Sequence, residues 1–126
     1  MKNPVQLLKL LSNETRLRIL LLLERESLCV CQLTGILGES QPTVSKTLAR
    51  LRDLGLVTDH PQDRFVYYRL KDDAQLKTFL DAVRKEPKAF PVMLEDERGL
   101  TGKEAYLDNC STISRDEKAD GRRRSE

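Results

Sequence analysis

The residues whose types and spacing most clearly suggest a binding site are two cysteines separated by a single residue, Cys29 and Cys31, in the run LCVC. Their thiolates are soft ligands, which suit thiophilic ions better than oxygen-seeking ones. The C-x-C spacing alone is a weak motif, because free cysteines often serve as small buried hydrophobic residues. A third cysteine, Cys110, lies in the run LDNCST and is either an incidental exposed thiol or a third ligand contributed by the C-terminal tail.

The elements around this thiol pair, Cys29 and Cys31, decide whether both sulfurs can reach one ion. Apolar spacing predicts a short third helix over residues 28–37, with Leu33, Ile36 and Leu37 facing inward. On a regular helix with about 3.6 residues per turn, side chains two residues apart point about 200° away from each other. We therefore expect that binding one ion distorts the start of this helix and tilts it against the helix that follows.

The next helix, predicted over residues 41–54, has an apolar stripe and a polar outer face. Val44, Leu48 and Leu51 recur at helical spacing, and Ser40 is suited to cap the first turn. The stretch 40–52 contains three basic residues and no acid. Arginine and lysine can bond guanine, glutamine can pair with adenine, and threonine offers a hydroxyl or a methyl group. We predict that this face reads DNA through Gln41, Thr43, Ser45, Lys46, Thr47 and Arg50; the alternative is an ordinary solvated helix face.

Two helices precede this pair, and a hairpin and a last helix follow it. The predicted flanking helices are Pro4–Leu11, Glu14–Arg25, and one that Asp72 or Asp73 caps and that ends near Lys85. The extended runs 56–59 and Phe65–Leu70 surround the turn-forming residues HPQDR, which predicts a wing with Arg64 at its tip, near the phosphate backbone. The predicted fold is mainly α with a small β-hairpin, a winged helix-turn-helix of order α-α-α-α-β-β-α.

Length, charge and composition narrow the class of protein. The 126 residues carry a net charge of +2 and one histidine. With no nucleophile–base spacing and no glycine-rich phosphate loop, we expect neither an enzyme nor a catalytic cofactor. Lys9, Ser12 and Arg16 interrupt the apolar N-terminal run, which predicts amphipathic helices of a cytoplasmic protein with reduced thiols, with no signal peptide and no membrane span. We divide the chain into a DNA-binding and dimerisation domain, 1–87, and a polar, largely disordered tail, 88–126.

Four segments, in this order and spacing, resemble the ArsR family of winged-helix metalloregulatory repressors: NETRLRILLLL, SLCVCQL, SQPTVSKTLARLRDLGLV and VYYRL. The resemblance covers about residues 5–85, and LCVC is similar to the ELCVC motif of the arsenic-sensing branch. It implies a homodimer on operator DNA that is released when arsenite or antimonite binds Cys29 and Cys31. The chain departs from the pattern at Thr34, where some members carry a third cysteine, and at Thr47, which replaces a common histidine of the recognition helix.

The apolar residues of the terminal helices are either core or dimer contacts. The family pairs these helices across a two-fold axis, which implies a dimer interface of Val5, Leu8, Leu11, Leu76, Phe79, Leu80 and Val83. Two other functions stay open: a DNA-binding thiol redox switch, and a winged-helix module that binds proteins and no DNA. The C-x-C motif is compatible with As(III), Sb(III), Cd(II) and Pb(II) as the bound ion.

Overall fold

The computed structural model describes residues 3–108, which form a mainly helical winged helix-turn-helix. This confirms the predicted fold class. The helices are α1 Pro4–Leu11, α2 Glu14–Arg25, α3 Val30–Leu37, α4 Gln41–Asp53, α5 Ala74–Arg84, α6 Val92–Arg98 and α7 Ala105–Asp108. The strands are β1 Leu28–Cys29, β2 Val57–Gln62 and β3 Phe65–Leu70, and short 3-10 turns cover Pro87–Ala89 and Gly99–Gly102. In the described residues, no helix is long and apolar enough to cross a bilayer.

Side-chain caps set the starts of four helices. The side-chain oxygens of Asn3, Asn13, Ser40 and Asp73 each accept a hydrogen bond from the amide three residues further on. Such caps satisfy first-turn N–H groups that have no partner inside the helix. Gly38 ends α3 with a φ of 72°, a left-handed conformation that glycine adopts without steric cost. The turn of the helix-turn-helix is therefore encoded locally, between this glycine and Ser40.

The core is built around α2, as its apolar sequence predicts. Five consecutive residues of this helix, from Ile19 to Leu23, are buried. A helix that is apolar almost all round packs against several neighbours. Here α1, β3 and α6 all contact it. The other fully buried leucines and valines come from nearly every element: Leu7, Leu28, Leu33, Val44, Leu48, Leu51, Leu56, Val57, Leu76 and Leu80.

The third helix does not begin where its apolar spacing predicts. Residues Leu28–Cys29 form a two-residue strand, β1, and α3 starts at Val30. β1 runs antiparallel to β3, with Leu28 opposite Tyr68 and Cys29 opposite Tyr67. The result is a three-stranded sheet of order β1-β3-β2. The extended backbone of Cys29 (φ −96°, ψ 173°) places the thiol pair at the junction between a strand and a helix.

The wing is longer than predicted and turns tightly. β2 reaches Gln62, where the sequence indicated an end near Asp59, and only Asp63 and Arg64 lie between the strands. Pro61 is tolerated inside β2 because β2 is an edge strand, so its missing N–H breaks no ladder. Asp63 adopts a φ of 58°, which aspartate visits more readily than most residues. Arg64 is at the tip, as predicted.

The predicted dimer-contact residues divide into two groups. Leu76 and Leu80 are fully buried inside the chain, so they are core residues and the prediction of a dimer contact is wrong for these two. Val5 and Leu8 are 61% and 52% exposed, because α1 turns Leu7 and Leu10 toward the core instead. The remaining three are partly buried against the core: Leu11, Phe79 and Val83.

Residues 87–108, called here the C-terminal segment, are helical over much of their length. This differs from the expected disordered tail, because Met93 and Asp96 of α6 are buried and ion pairs attach the segment to α2. Asp96 receives two hydrogen bonds from Arg18, at 2.9 and 2.8 Å, and Arg84 joins Glu97 to α5. The domain boundary at residue 87 stays a prediction, and Cys110 lies outside the described residues.

Candidate functional site

The outward face of α4 contains every residue that the sequence assigns to DNA reading on this helix. Val44, Leu48 and Leu51 point into the core with no exposed surface, which fixes the rotation of the helix. Of the six predicted contact residues, Thr43, Lys46 and Arg50 are exposed, and the others are partly exposed: Gln41, Ser45 and Thr47. We call these six residues the recognition face.

Hydroxyl groups at the start of α4 are held in a short network. The Ser40 hydroxyl donates to Oγ1 of Thr43 at 2.9 Å, and the Thr47 hydroxyl donates to the carbonyl oxygen of Thr43 at 2.8 Å. The Thr47 oxygen keeps its lone pairs after donating its proton, and the Thr43 oxygen, which accepts one hydrogen bond, keeps a second lone pair. The two threonines of the recognition face therefore offer acceptors in fixed positions, which suit the amino groups of adenine or cytosine.

Of the three basic residues of α4, only Arg52 makes an ion pair within residues 3–108. Arg52 pairs with Asp59 of β2 at 3.1 Å and so connects the helix to the wing. By contrast, Lys46 and Arg50 make no ion pair with any residue from 3 to 108. Arg64, at the wing tip, lies over the ring of Phe65 at 5.6 Å from its centroid. No ion pair within residues 3–108 neutralises Lys46, Arg50 or Arg64, so their charge is available to an anionic partner.

Cys29 occupies the cap position of α3 and is 2% exposed. Its amide donates to Oε1 of Gln32 at 3.1 Å, and its sulfur accepts the backbone N–H of the same residue. Burial raises the pKa of the Cys29 thiol, although these backbone donors and the Lys103 ammonium oppose the rise. Burial therefore favours the protonated thiol in this conformation, and Cys29 could bind a ligand only if the junction opened.

Cys31 lies in the first turn of α3 and is partly exposed. Because Cys29 is extended and not helical, the distortion that the sequence demands at the helix start is already present in the structure. Between residues 3 and 108, no three side chains of His, Cys, Asp or Glu come together as metal ligands. A ligand set of three thiolates would need a donor from outside those residues, and Cys110 is the only further cysteine in the chain.

The C-terminal segment covers the thiol-bearing helix, a contact with no signal in the sequence pattern. Tyr106 packs against α3 at Gly35, so closely that an added Cβ there would clash with the ring. Lys103 pairs with Glu26, and its carbonyl oxygen accepts a long 3.5 Å hydrogen bond from Gln32. Residues on both sides of the thiol pair therefore contact the C-terminal segment.

Comparisons with known proteins agree with this arrangement. A family profile described as "Bacterial regulatory protein, arsR family" matches residues 13–59. The arsenical resistance operon repressor of Escherichia coli K12 is 53% identical over 68 residues, 53% of this chain and 58% of that protein. The arsenic resistance transcriptional regulator ArsR1 of Pseudomonas putida KT2440 is 44% identical over 86 residues, 63% of this chain and 67% of the relative. This chain belongs to the ArsR family.

A solved structure extends the likeness to three dimensions. The antimony-specific transcriptional repressor AntR superposes with a TM-score of 0.56 and 32% identity, over 67% of this chain and 79% of that structure. The matched region of this ArsR-family chain spans only 58% of the E. coli relative and 67% of the P. putida relative. The region that the family profile matches, residues 13–59, holds the helix-turn-helix and the thiol pair.

Proposed function

We propose that this chain is a metalloid-responsive transcriptional repressor, a cytoplasmic homodimer that leaves operator DNA when arsenite or antimonite binds the thiol pair. The observation that carries the proposal is the position of the thiol pair at the junction of β1 and α3. This junction adjoins both DNA-contacting parts, since α3 packs on α4 and β1 pairs with β3 of the wing. The names of the arsenical and antimony relatives support the choice of ligand.

Ligand binding replaces hydroxyl groups of the metalloid by sulfur. Arsenite, As(OH)₃, forms an As–S bond with each thiol and releases one water per bond, so Cys29 and Cys31 together yield a dithiolate with one remaining hydroxyl. Soft thiolates suit trivalent arsenic and antimony. Cys31 is disulfide-bonded in the structure, which differs from the expected reduced thiol, so the proposal concerns the protein kept under a phosphine reductant.

Cys110 is the proposed third ligand. Tyr106 packs at Gly35, which is one helical turn from Cys31. Cys110 is four positions after Tyr106 in the chain, and four residues span at most about 14 Å. The third thiol therefore has the reach to replace the last hydroxyl of the bound metalloid.

The coupling to DNA follows from the burial of Cys29. To bind the same atom as Cys31, its sulfur must leave the core, which strains the pairing of Cys29 with Tyr67 and the first turn of α3. Both changes move supports of the DNA-binding surface, so the closed junction favours DNA and the open junction favours the metalloid. The coupling is reciprocal by thermodynamic necessity, and DNA must weaken metalloid binding by the same factor.

The homodimer places two recognition faces on the two halves of an operator. Val5 and Leu8 support an interface through α1, since both are large, apolar and exposed. Leu11, Phe79 and Val83 extend the proposed contact, whereas the buried Leu76 and Leu80 belong to the core.

The test is fluorescence anisotropy on the gene's own promoter DNA, in phosphine reductant, with and without arsenite. Wild type should bind and be released, while Cys29→Ser and Cys31→Ser should bind DNA equally well and stay bound. Cys110→Ser should need more arsenite for the same release. The matched control for DNA contact compares Lys46→Gln with Lys85→Gln, and only the first should weaken binding.

Each contrary outcome points to a different function. Equal release of wild type and both serine variants would refute the thiol pair as the sensor. Release by peroxide and not by arsenite would favour the thiol redox switch, although the burial of Cys29 disfavours it. No binding to promoter DNA would favour the protein-interaction module.

A further inference from the structure

A groove between the N-terminal helices and the recognition helix has three cationic side chains. It has a volume of about 240 Å³ and lies between α1, the start of α2 and the end of α4. Its lining residues are Gln6, Lys9, Leu10, Arg16, Arg50 and Leu54. We call it the basic groove, and it contains no acidic side chain.

The charges of the basic groove are uncompensated. Lys9, Arg16 and Arg50 make no ion pair with any residue in the described range 3–108. This contrasts with the arginines on the opposite side of α2, Arg18 and Arg25, which are paired with acids of α6. Three like charges that line one groove repel each other, so an anion that enters it is attracted by all three.

Arg16 is held in a geometry that suits an anion. Its Nε donates to the carbonyl oxygen of Leu10 at 2.8 Å, which anchors the planar group at the end of α1. The two terminal nitrogens make no other bond to residues 3–108 and keep their donors. An arginine fixed at one edge in this way offers a preorganised pair of donors, the arrangement that binds phosphate oxygens.

We infer that the basic groove binds a backbone phosphate of the operator, so that the DNA footprint extends from α4 onto α1 and α2. The inference rests on the proposed DNA-binding function and adds a contact outside the helix-turn-helix and the wing. Arg50 belongs to both the recognition face and the groove, so the two surfaces are continuous. The groove uses Gln6 and Lys9 of α1, not the exposed Val5 and Leu8 of the proposed dimer interface.

The salt dependence of DNA binding tests the inference, because a phosphate contact releases counterions. The logarithm of the binding constant falls with the logarithm of salt with a slope of about −0.9 per phosphate contact on B-DNA. Lys9→Gln and Arg16→Gln should each make the slope shallower by about 0.9 for every phosphate that is no longer neutralised. When salt rises from about 50 to about 200 mM, each variant should therefore lose about 3.5-fold less affinity than wild type. The difference should be about 12-fold if the substitution acts in both protomers of a dimer. The loss should be equal on operator and unrelated DNA, because phosphate contacts carry no sequence information.

Two comparisons make the result decisive. Lys85→Gln, which removes an exposed lysine outside the groove, should leave the slope unchanged. Lys9→Gln keeps the bond between Arg16 and Leu10, so it reports on the groove even if Arg16→Gln loosens the packing of α1. Slopes of both groove variants equal to that of wild type, with operator binding intact, would overturn the inference alone. Failure of wild type to bind any DNA would overturn the proposed function as well.

Discussion

Replacing Asp96 with leucine should lower the stability of the protein strongly, because it leaves a buried guanidinium without its partner. The side chains of Arg18 and Asp96 are 11% and 4% exposed and share two hydrogen bonds, at 2.9 and 2.8 Å. A hydrogen bond to a charged group contributes about 1.5–3 kcal/mol. Breaking a buried ion pair by removing one partner costs about 3–5 kcal/mol. Two bonds in this setting place Asp96→Leu in that range.

Urea unfolding measures the effect, followed by circular dichroism. With a slope of about 2 kcal/mol per molar urea, a loss of 4 kcal/mol lowers the midpoint by about 2 M. Arg18→Met should cost a similar amount. The loss of stability in the double variant should be smaller than the sum of the two single losses by at least about 2 kcal/mol, because the double variant leaves no buried charge unpaired. The exposed pair Arg52–Asp59, whose side chains are 43% and 35% exposed, supplies the control, and Asp59→Ala should cost less than about 1 kcal/mol.

A loss of stability in Asp96→Leu no larger than that in Asp59→Ala would refute this prediction. That result would mean that the C-terminal segment contributes nothing to the folded state through this pair. Additive losses in the double variant would instead mean that Arg18 and Asp96 stabilise the protein through separate contacts, such as the 3.3 Å bond from Arg18 to the carbonyl of Leu37.

Three further predictions concern α3 and the C-terminal segment. The buried hydroxyl of Thr34 has no partner among the described residues, so Thr34→Cys should stabilise by about 1 kcal/mol in urea unfolding and raise arsenite affinity in titrations; a less stable variant would contradict the first part. Gly35→Ala should destabilise by about 1–3 kcal/mol, because its Cβ meets Tyr106, and this loss should shrink in a Tyr106→Ala background. Burial alone would raise the pKa of Glu97, yet hydrogen bonds from arginines, chiefly Arg84, hold this pKa below its usual value. Its contribution to stability is therefore present above the unfolded pKa of about 4.3 and lost as pH falls through the lower folded value, so Glu97→Gln should flatten the decline between about pH 5 and pH 3 in unfolding experiments.

The sequence predicts those parts of the fold that depend on local chemistry. Ser40 and Gly38 delimit the turn before α4, and the spacing of Val44, Leu48 and Leu51 fixes which face of that helix is outward. The recognition face could be predicted from the sequence because this spacing identifies the outward side of α4. Each of these features depends on residues within one or two helical turns of each other.

Other features depend on partners far away in the chain. β1 exists because Cys29 pairs with Tyr67, and two residues are too few to show a strand period. The helices of the C-terminal segment are stabilised by ion pairs, of which Asp96 with Arg18 joins residues 78 positions apart. A polar composition indicates disorder only when such partners are absent. In α1, both faces are apolar, so periodicity could not tell whether Val5 or Leu7 is buried.

β3 is the central strand of the sheet, and this gives the wing a second attachment to the body of the protein. A hairpin joined to the body only by its own ends would swing on the linkers that flank it. Here β3 of the wing also pairs with the two residues of β1, one of which is Cys29. Loss of the pairing between β1 and β3 would turn β3 into an edge strand with unpaired backbone groups. The position of Arg64 at the wing tip therefore depends on the pairing of β1 with β3 inside the protein.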